Sequence, residues 1–158
     1  MSIKLISAVS NNFCIGKDND LVIRNKEDLK LFKHLTLNSN VVMGRKTFES
    51  IGSKALPHRY NIILTSEPDK YTSDHQTFFC DFEFFKQFYD ANLEYWIIGG
   101  EEIYEKFLSE NLVSSIYLSK FAINRDGDTY FPKSYLENFR LKYINYCKGF
   151  KQEVYERK

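Results

Sequence analysis

Short continuous apolar runs, rather than strict alternation, set the pattern of this chain. Ile3 to Val9, Tyr60 to Thr65 and Tyr95 to Ile98 each read as a strand covered on both faces, as does the run ending in Val41-Val42-Met43. Thr77 to Cys80 and Ser115 to Ala122 add two more strands. The last two runs, Phe139 to Tyr146 and Phe150 to Arg157, flank Lys148-Gly149, which signals a hairpin. Helical spacing takes over from Lys26 to Leu37, where Leu31, Phe32 and Leu35 share one side and Lys26, Lys30 and Lys33 the other. Asn25 is placed to cap that helix, with Asp28 three residues on as in a capping box variant. Further helices are expected at Thr47 to Ile51, closed by Gly52, at Phe82 to Asn92 and at Glu101 to about Leu108. Ser10 to Ile23 has no clear period and reads as a long polar loop, a kind that is usually functional. Strands alternate with helices early and end in an antiparallel pair. That order predicts an α/β fold around one mixed, mostly parallel sheet with an antiparallel edge.

Composition narrows the function classes. The 158 residues suit one domain. The 22 basic and 21 acidic residues nearly cancel, so there is no electrostatic footprint for nucleic acid or an anionic membrane. No apolar run is long enough to span a bilayer, and the N-terminus enters a strand pattern at once, without a secretory core. The 3 cysteines, Cys14, Cys80 and Cys147, make neither a disulfide framework nor a metal knuckle, so a cytoplasmic setting is expected.

Several residues stand where chemistry is possible. After Met43 the chain meets Gly44 and then Arg45-Lys46-Thr47. A strand that hands over to a helix at glycine leaves N–H groups unpaired, and the two cations add charge, which suits a phosphate. The same heptad is also compatible with an ordinary turn carrying solvated cations. Asp28 falls among the leucines and the phenylalanine of its helix, not among the lysines. A carboxylate there must find a partner or keep its proton; equally, it can simply cap the first turn. Gly99-Gly100 between strand and helix allows either a tight turn or the close approach of a ligand. Arg59, at the mouth of a strand, can face a cleft or lie on a solvated rim.

Taken in order, these pieces resemble dihydrofolate reductase. The matching elements are Ile15-Gly16, Asp28-Leu29-x-x-Phe32-Lys33, Met43-Gly44-Arg45-Lys46-Thr47-Phe48-Glu49-Ser50-Ile51-Gly52, Leu56-Pro57-x-Arg59-x-Asn61, Ile98-Gly99-Gly100-x-x-Ile103-Tyr104 and Gly127-Asp128-Thr129-x-Phe131-Pro132. The resemblance implies a three-layer fold over residues 1–158, with a central sheet of about eight strands, helices on both faces and an adenosine-binding part at about 39–107. It implies hydride transfer from NADPH to C6 of 7,8-dihydrofolate, with a proton reaching N5. The partners would be dihydrofolate and antifolates, with no nucleic acid and no membrane, and the protein would be a monomer serving one-carbon and thymidylate metabolism.

The resemblance also assigns residues. Asp28 would be the buried acid gripping the pterin, with the Ser119 hydroxyl standing where the family has threonine. Ile6, Leu29, Phe32, Ser50 and Ile51 would line the folate site, and Arg59 would clamp the glutamate α-carboxylate. Arg45, Lys46 and Ser66 would hold the 2′-phosphate, and Thr47 the pyrophosphate region. Ala8, Ile15 and Ile98 would flank the nicotinamide, with Gly16, Asn19, Leu21, Gly44, Leu64, Gly99, Gly100 and Tyr104 completing the cofactor site. Gly16 to Val22 would be a lid braced by Asp128. Two departures stand out. Val22-Ile23 replaces the family's Pro-Trp, so the indole donor is missing. Glu101 and Glu102 follow the glycines, where their charge would repel a phosphate. The first departure keeps open a reductase-like binding or structural protein with weak catalysis. A related NADPH-dependent pyrimidine reductase of the same fold is the other alternative.

Overall fold

The computed structural model describes residues 2–158. An eight-stranded sheet runs through the middle in the order β10-β11-β8-β1-β7-β4-β5-β6. Its strands are β1 (Ser2–Val9), β4 (Asn40–Gly44), β5 (Tyr60–Leu64), β6 (Thr77–Cys80), β7 (Glu94–Gly99), β8 (Ser115–Lys120), β10 (Phe139–Cys147) and β11 (Phe150–Arg157). Every pairing from β8 across to β6 is parallel, while β11 runs antiparallel to both β8 and β10. The expected α/β class, the mixed sheet and the antiparallel C-terminal hairpin are all present.

Neighbouring residues of the central strands go to opposite cores. Val42, Ile62 and Leu64 join one apolar cluster, whereas Val41, Met43 and Ile63 join another. A strand whose side chains alternate between two buried faces must be apolar throughout, which is why these strands read as continuous runs. The first cluster takes in Phe85 of α3 (Phe82–Phe88) and Ile103, Phe107 and Leu108 of α4 (Glu101–Ser109). The second takes in Phe48 of α2 (Arg45–Ser50), with Phe32 and Leu35 of α1 (Lys26–Thr36) packed against it. Helices therefore cover both faces of the sheet. None of the described helices is long and apolar enough to cross a membrane.

Three details differ from the sequence reading. Ser10 to Ile23 is not one irregular loop: β2 (Cys14–Lys17) and β3 (Asp20–Leu21) form a hairpin that pairs with β9 (Thr129–Tyr130) as a second, small sheet. Asp18 and Asn19 make its two-residue turn, both with positive φ (51° and 61°), as that tight turn requires. Helix α3 stops at Phe88, not Asn92, because the Asp90 carboxylate accepts the Asn92 N–H at 2.8 Å and bends the chain into a turn. The capping box at α1 forms by half. The Asn25 side chain accepts the Asp28 N–H at 3.0 Å, but the Asp28 carboxyl turns inward.

Candidate active site

The strands β1, β4, β5 and β7 all end at one side of the sheet, and a cleft of about 1060 Å³ opens there. Ligands of open α/β sheets gather at the carboxyl ends of the strands because backbone donors and loop residues converge there. Of the residues singled out from sequence, Ile6, Ala8, Ile15, Gly16, Asn19, Leu21, Asp28, Leu29, Phe32, Gly44, Arg45, Lys46, Thr47, Ser50, Ile51, Leu64, Ser66, Ile98, Gly99, Gly100 and Tyr104 line this one cleft. Ser119 and Arg59 do not reach its surface.

Ser119 lies behind Asp28. It is almost fully buried on β8, with its hydroxyl near enough to the Asp28 carboxyl to favour the ionised form. Burial raises the acid above the ordinary aspartate value, and the Ser119 hydroxyl pulls part of the way back. The helix explains how the group is held. Asp28 is on the inner stripe of α1 with Leu31, Phe32 and Leu35, all half-buried, and its own N–H is tied to the cap.

Arg59 is 7% exposed. Its Nε donates to the Pro57 carbonyl at 2.9 Å and its Nη1 to Thr36 Oγ1 at 3.0 Å. Thr36 in turn donates to the Phe32 carbonyl at 2.8 Å, which ties the arginine to α1. The guanidinium carbon is 6.0 Å from the Phe32 ring centre, so Arg59 stands behind a residue of the cleft wall. Buried Asn61 fixes the loop before it, accepting from Leu56 N and donating to the Leu56 and Arg59 carbonyls. Burial lowers the guanidinium from its usual value, and among the described residues it has no carboxylate partner within ion-pair distance. The sequence offered no local sign of Thr36 as its clamp, because the two lie 23 positions apart.

The other end of the cleft is cationic and open. Arg45 and Lys46 begin α2, and Arg45 grips Glu49 through Nη1 at 2.9 and 3.0 Å. That partner was visible in the sequence as an acid one helical turn on. Gly44 leaves no room for a side chain, since a Cβ there would lie 2.8 Å from Ile103 Cγ1. Its glycine serves the seating of α4 on the sheet. Gly99, with φ of 127°, carries the chain past the Tyr104 hydroxyl and Thr47 Oγ1 with no side chain of its own. Tyr104 is buried and donates to the Ile6 carbonyl at 2.7 Å, which locks β1 to α4 under the middle of the cleft.

The small sheet closes one side. Asp128 Oδ2 accepts the Asp18 N–H at 2.9 Å, and the Asp128 N–H donates to the Gly16 carbonyl at 3.0 Å. Glu101 Oε1 accepts the Tyr130 N–H at 2.5 Å. This carboxylate was read only as a charge at a helix start, and it is in fact a tether between α4 and β9. Ile23 lines the cleft but is 7% exposed, packed in a cluster with Phe121 and Phe150.

A trough with an acid at one end, cations at the other and a bare glycine ridge between them fits a pterin and a phosphorylated dinucleotide. The profile of the family described as dihydrofolate reductase matches residues 2–156. The chain belongs to the dihydrofolate reductase family. It is 34% identical to the dihydrofolate reductase of Haemophilus influenzae over 99% of this chain and 94% of that protein. It is 32% identical to the bifunctional dihydrofolate reductase-thymidylate synthase of Paramecium tetraurelia, covering 92% of this chain but spanning only 31% of that longer protein. Among solved structures it resembles dihydrofolate reductase from Enterococcus faecalis complexed with NADP(H) and RAB-propyl, with a TM-score of 0.86 and 26% identity over 99% of this chain and 96% of that one.

Proposed function

We propose that this chain reduces 7,8-dihydrofolate to 5,6,7,8-tetrahydrofolate with NADPH, and that Asp28 is the acid on which the reaction depends. The observation that carries the assignment is the Asp28–Ser119 pair set in the apolar wall of a cleft whose far end is cationic. Bound in the trough, NADPH supplies the hydride that reaches C6. The chain's own groups do the rest. Asp28, when ionised, accepts the amino and ring N–H groups of the pterin, and burial raises its affinity for the proton that is to reach N5. Ser119 fixes its orientation. Leu29, Phe32, Ser50 and Ile51 flank the remainder of the folate, and Arg59, now behind Phe32, would turn toward the cleft to clamp the glutamate α-carboxylate. Arg45, Lys46 and Ser66 hold the 2′-phosphate, and Thr47 with the Gly99–Gly100 ridge takes the pyrophosphate region. Ala8, Ile15 and Ile98 flank the nicotinamide, and the β2–β3 hairpin excludes water. The reading includes a single domain that works in the cytoplasm as a monomer.

The test is steady-state NADPH oxidation with and without dihydrofolate, repeated with NADH. Dihydrofolate-dependent oxidation that strongly prefers NADPH is expected; no dependence on dihydrofolate would sink the proposal. Activity should fall about tenfold per pH unit on the alkaline side of the raised Asp28 value, because the protonated acid is then the minority form. The substituted lid does not favour a non-catalytic role. A structural copy has no need of a buried acid, and Arg59 and the acid-bearing α1 suit a folate better than a pyrimidine.

A further inference from the structure

Behind the acid lies a row of polar side chains that the reaction as described does not use. On β8, β11 and β10 the residues Ser119, Gln152 and Asn145 are directly paired, Ser119 with Gln152 and Gln152 with Asn145. Residues opposite one another on antiparallel strands project to the same face. Helix α1, which carries Asp28, lies over that face: its Leu31 packs in one cluster with Phe121 just after β8, Phe150 on β11 and Cys147 on β10, and Asp28 lies near Ser119. Gln152, two residues along β11 from Phe150 and paired with Ser119, lies on the sheet face that α1 covers.

Gln152 is 1% exposed, and its Nε2 has no hydrogen-bond partner among the described residues. Its Oε1 is held only by Asn145 Nδ2, at the long distance of 3.5 Å. A buried amide donor without a partner is costly, and such a group in a working protein usually has a task. We infer that Gln152 is a positioning residue for the Asp28–Ser119 pair, its side-chain amide donating to Ser119 Oγ when Asp28 is ionised. A serine hydroxyl has one hydrogen. With its oxygen engaged by Gln152, that hydrogen is directed to the Asp28 carboxylate, and the ionised form gains a donor that the protonated form does not need. Gln152 thus sets how readily the acid gives up its proton, from the side of the sheet away from the ligand. The titratable groups on the sheet face under α1 are Cys147 on β10, which the charges of Asp28 and Glu27 both reach, and further along Tyr117 and Tyr143.

The inference rests on Asp28 being the acid of the reaction, so the experiment has one arm that needs no turnover. Gln152→Leu removes the donor at similar volume, and Gln152→Met does the same should the leucine fail to fold. In the ligand-free protein the Asp28 carboxyl is titrated by carbon-13 NMR, and in the enzyme kcat/KM is followed against pH. Removing a donor to the ionised form raises the midpoint. The expected result is an upward move of about one pH unit in both measurements, a tenfold change in proton affinity, with Tm unchanged or higher because an unpaired polar group has left the core. An unmoved NMR midpoint overturns the inference, and a lower Tm with an unmoved midpoint assigns Gln152 a structural role instead. If the parent protein shows no dihydrofolate-dependent turnover, the functional reading fails, while the NMR arm still decides the role of Gln152.

Discussion

On the α1 side of the cleft the polar groups are sealed in before any ligand arrives, whereas on the α2–α4 side they face water and hold one another. Asp28 rests against Ser119 in an apolar wall, and Arg59 is buried with its guanidinium framed by Pro57 and Thr36. Among the described residues neither has an opposite charge within ion-pair distance, and in the proposed function a pterin and a carboxylate would complete them. Arg45, by contrast, already holds Glu49, and Glu101 already holds the Tyr130 N–H. Asp28 is set in the cleft wall in advance, which favours preorganisation there, whereas Arg59 must leave part of its present frame to reach the cleft. If Arg45 holds the 2′-phosphate as proposed, the cofactor side must exchange an internal ion pair for it, so its affinity is the more sensitive to salt and to surface substitution.

This contrast can be broken from the folate end first. Asp28→Asn should lower kcat/KM by roughly 10²–10⁴-fold, the range expected for a positioned acid, measured by NADPH oxidation. Its stability should move the other way. The folded acid is raised, so the unfolded chain ionises first as pH increases. Between the two values the folded state binds more protons, and stability falls with rising pH until the folded group has ionised. Asparagine removes that penalty, so the variant should melt higher than the parent at pH 8, and the gap should close at acid pH. A variant that melts lower at pH 8 would mean that the carboxylate is not in a desolvated wall. Arg59→Met should come next, raising KM for dihydrofolate by about tenfold to a hundredfold, the scale of a lost hydrogen bond to a charged group, with a much smaller change in kcat. An equal loss in both parameters would place Arg59 outside ground-state binding.

The cofactor end should respond less. Glu49→Ala frees Arg45 and should tighten NADPH by about twofold to fivefold, as the exposed pair is a weak one, with NADH scarcely affected. Equal tightening of both cofactors would separate Arg45 from the 2′-phosphate. Glu101→Gln should give the smallest effect, about a twofold gain in NADPH affinity from the removed charge. The same variant weakens the bond to Tyr130, so hydrogen exchange at the Tyr130 amide should quicken.

Much of this arrangement was legible in the chain, and the physics says which part. Apolar runs such as Val41 to Met43 identify strands buried on both faces, and Asn25 before an amphipathic stretch identifies the start of α1, because each is a local rule. The position of Asp28 on the apolar stripe followed from helical spacing alone. The lid hairpin escaped notice although Asp18-Asn19 is a turn signal, because its pairing with Thr129 and Tyr130 depends on residues more than a hundred positions away. Thr36 beneath Arg59, the Glu101 tether and the pairing of Gln152 with Ser119 escaped for the same reason: each joins distant segments and leaves no local pattern. The hidden place of Arg59 was missed because a lone arginine at a strand mouth is more often solvated.

Strand β1 lies in the interior of the sheet, between two partners that come far later in the chain: Ser2 is paired with Glu94 and Ala8 with Ser119. During synthesis its apolar residues therefore emerge from the ribosome well before the strands that will cover them. Sheets closed by such distant pairings assemble slowly, and an uncovered strand in a growing chain invites association with its neighbours. Of the eight strands of the sheet, β1 is thus made before the others yet is among the last to be paired, and its apolar residues stay uncovered until β7 and β8 have been translated.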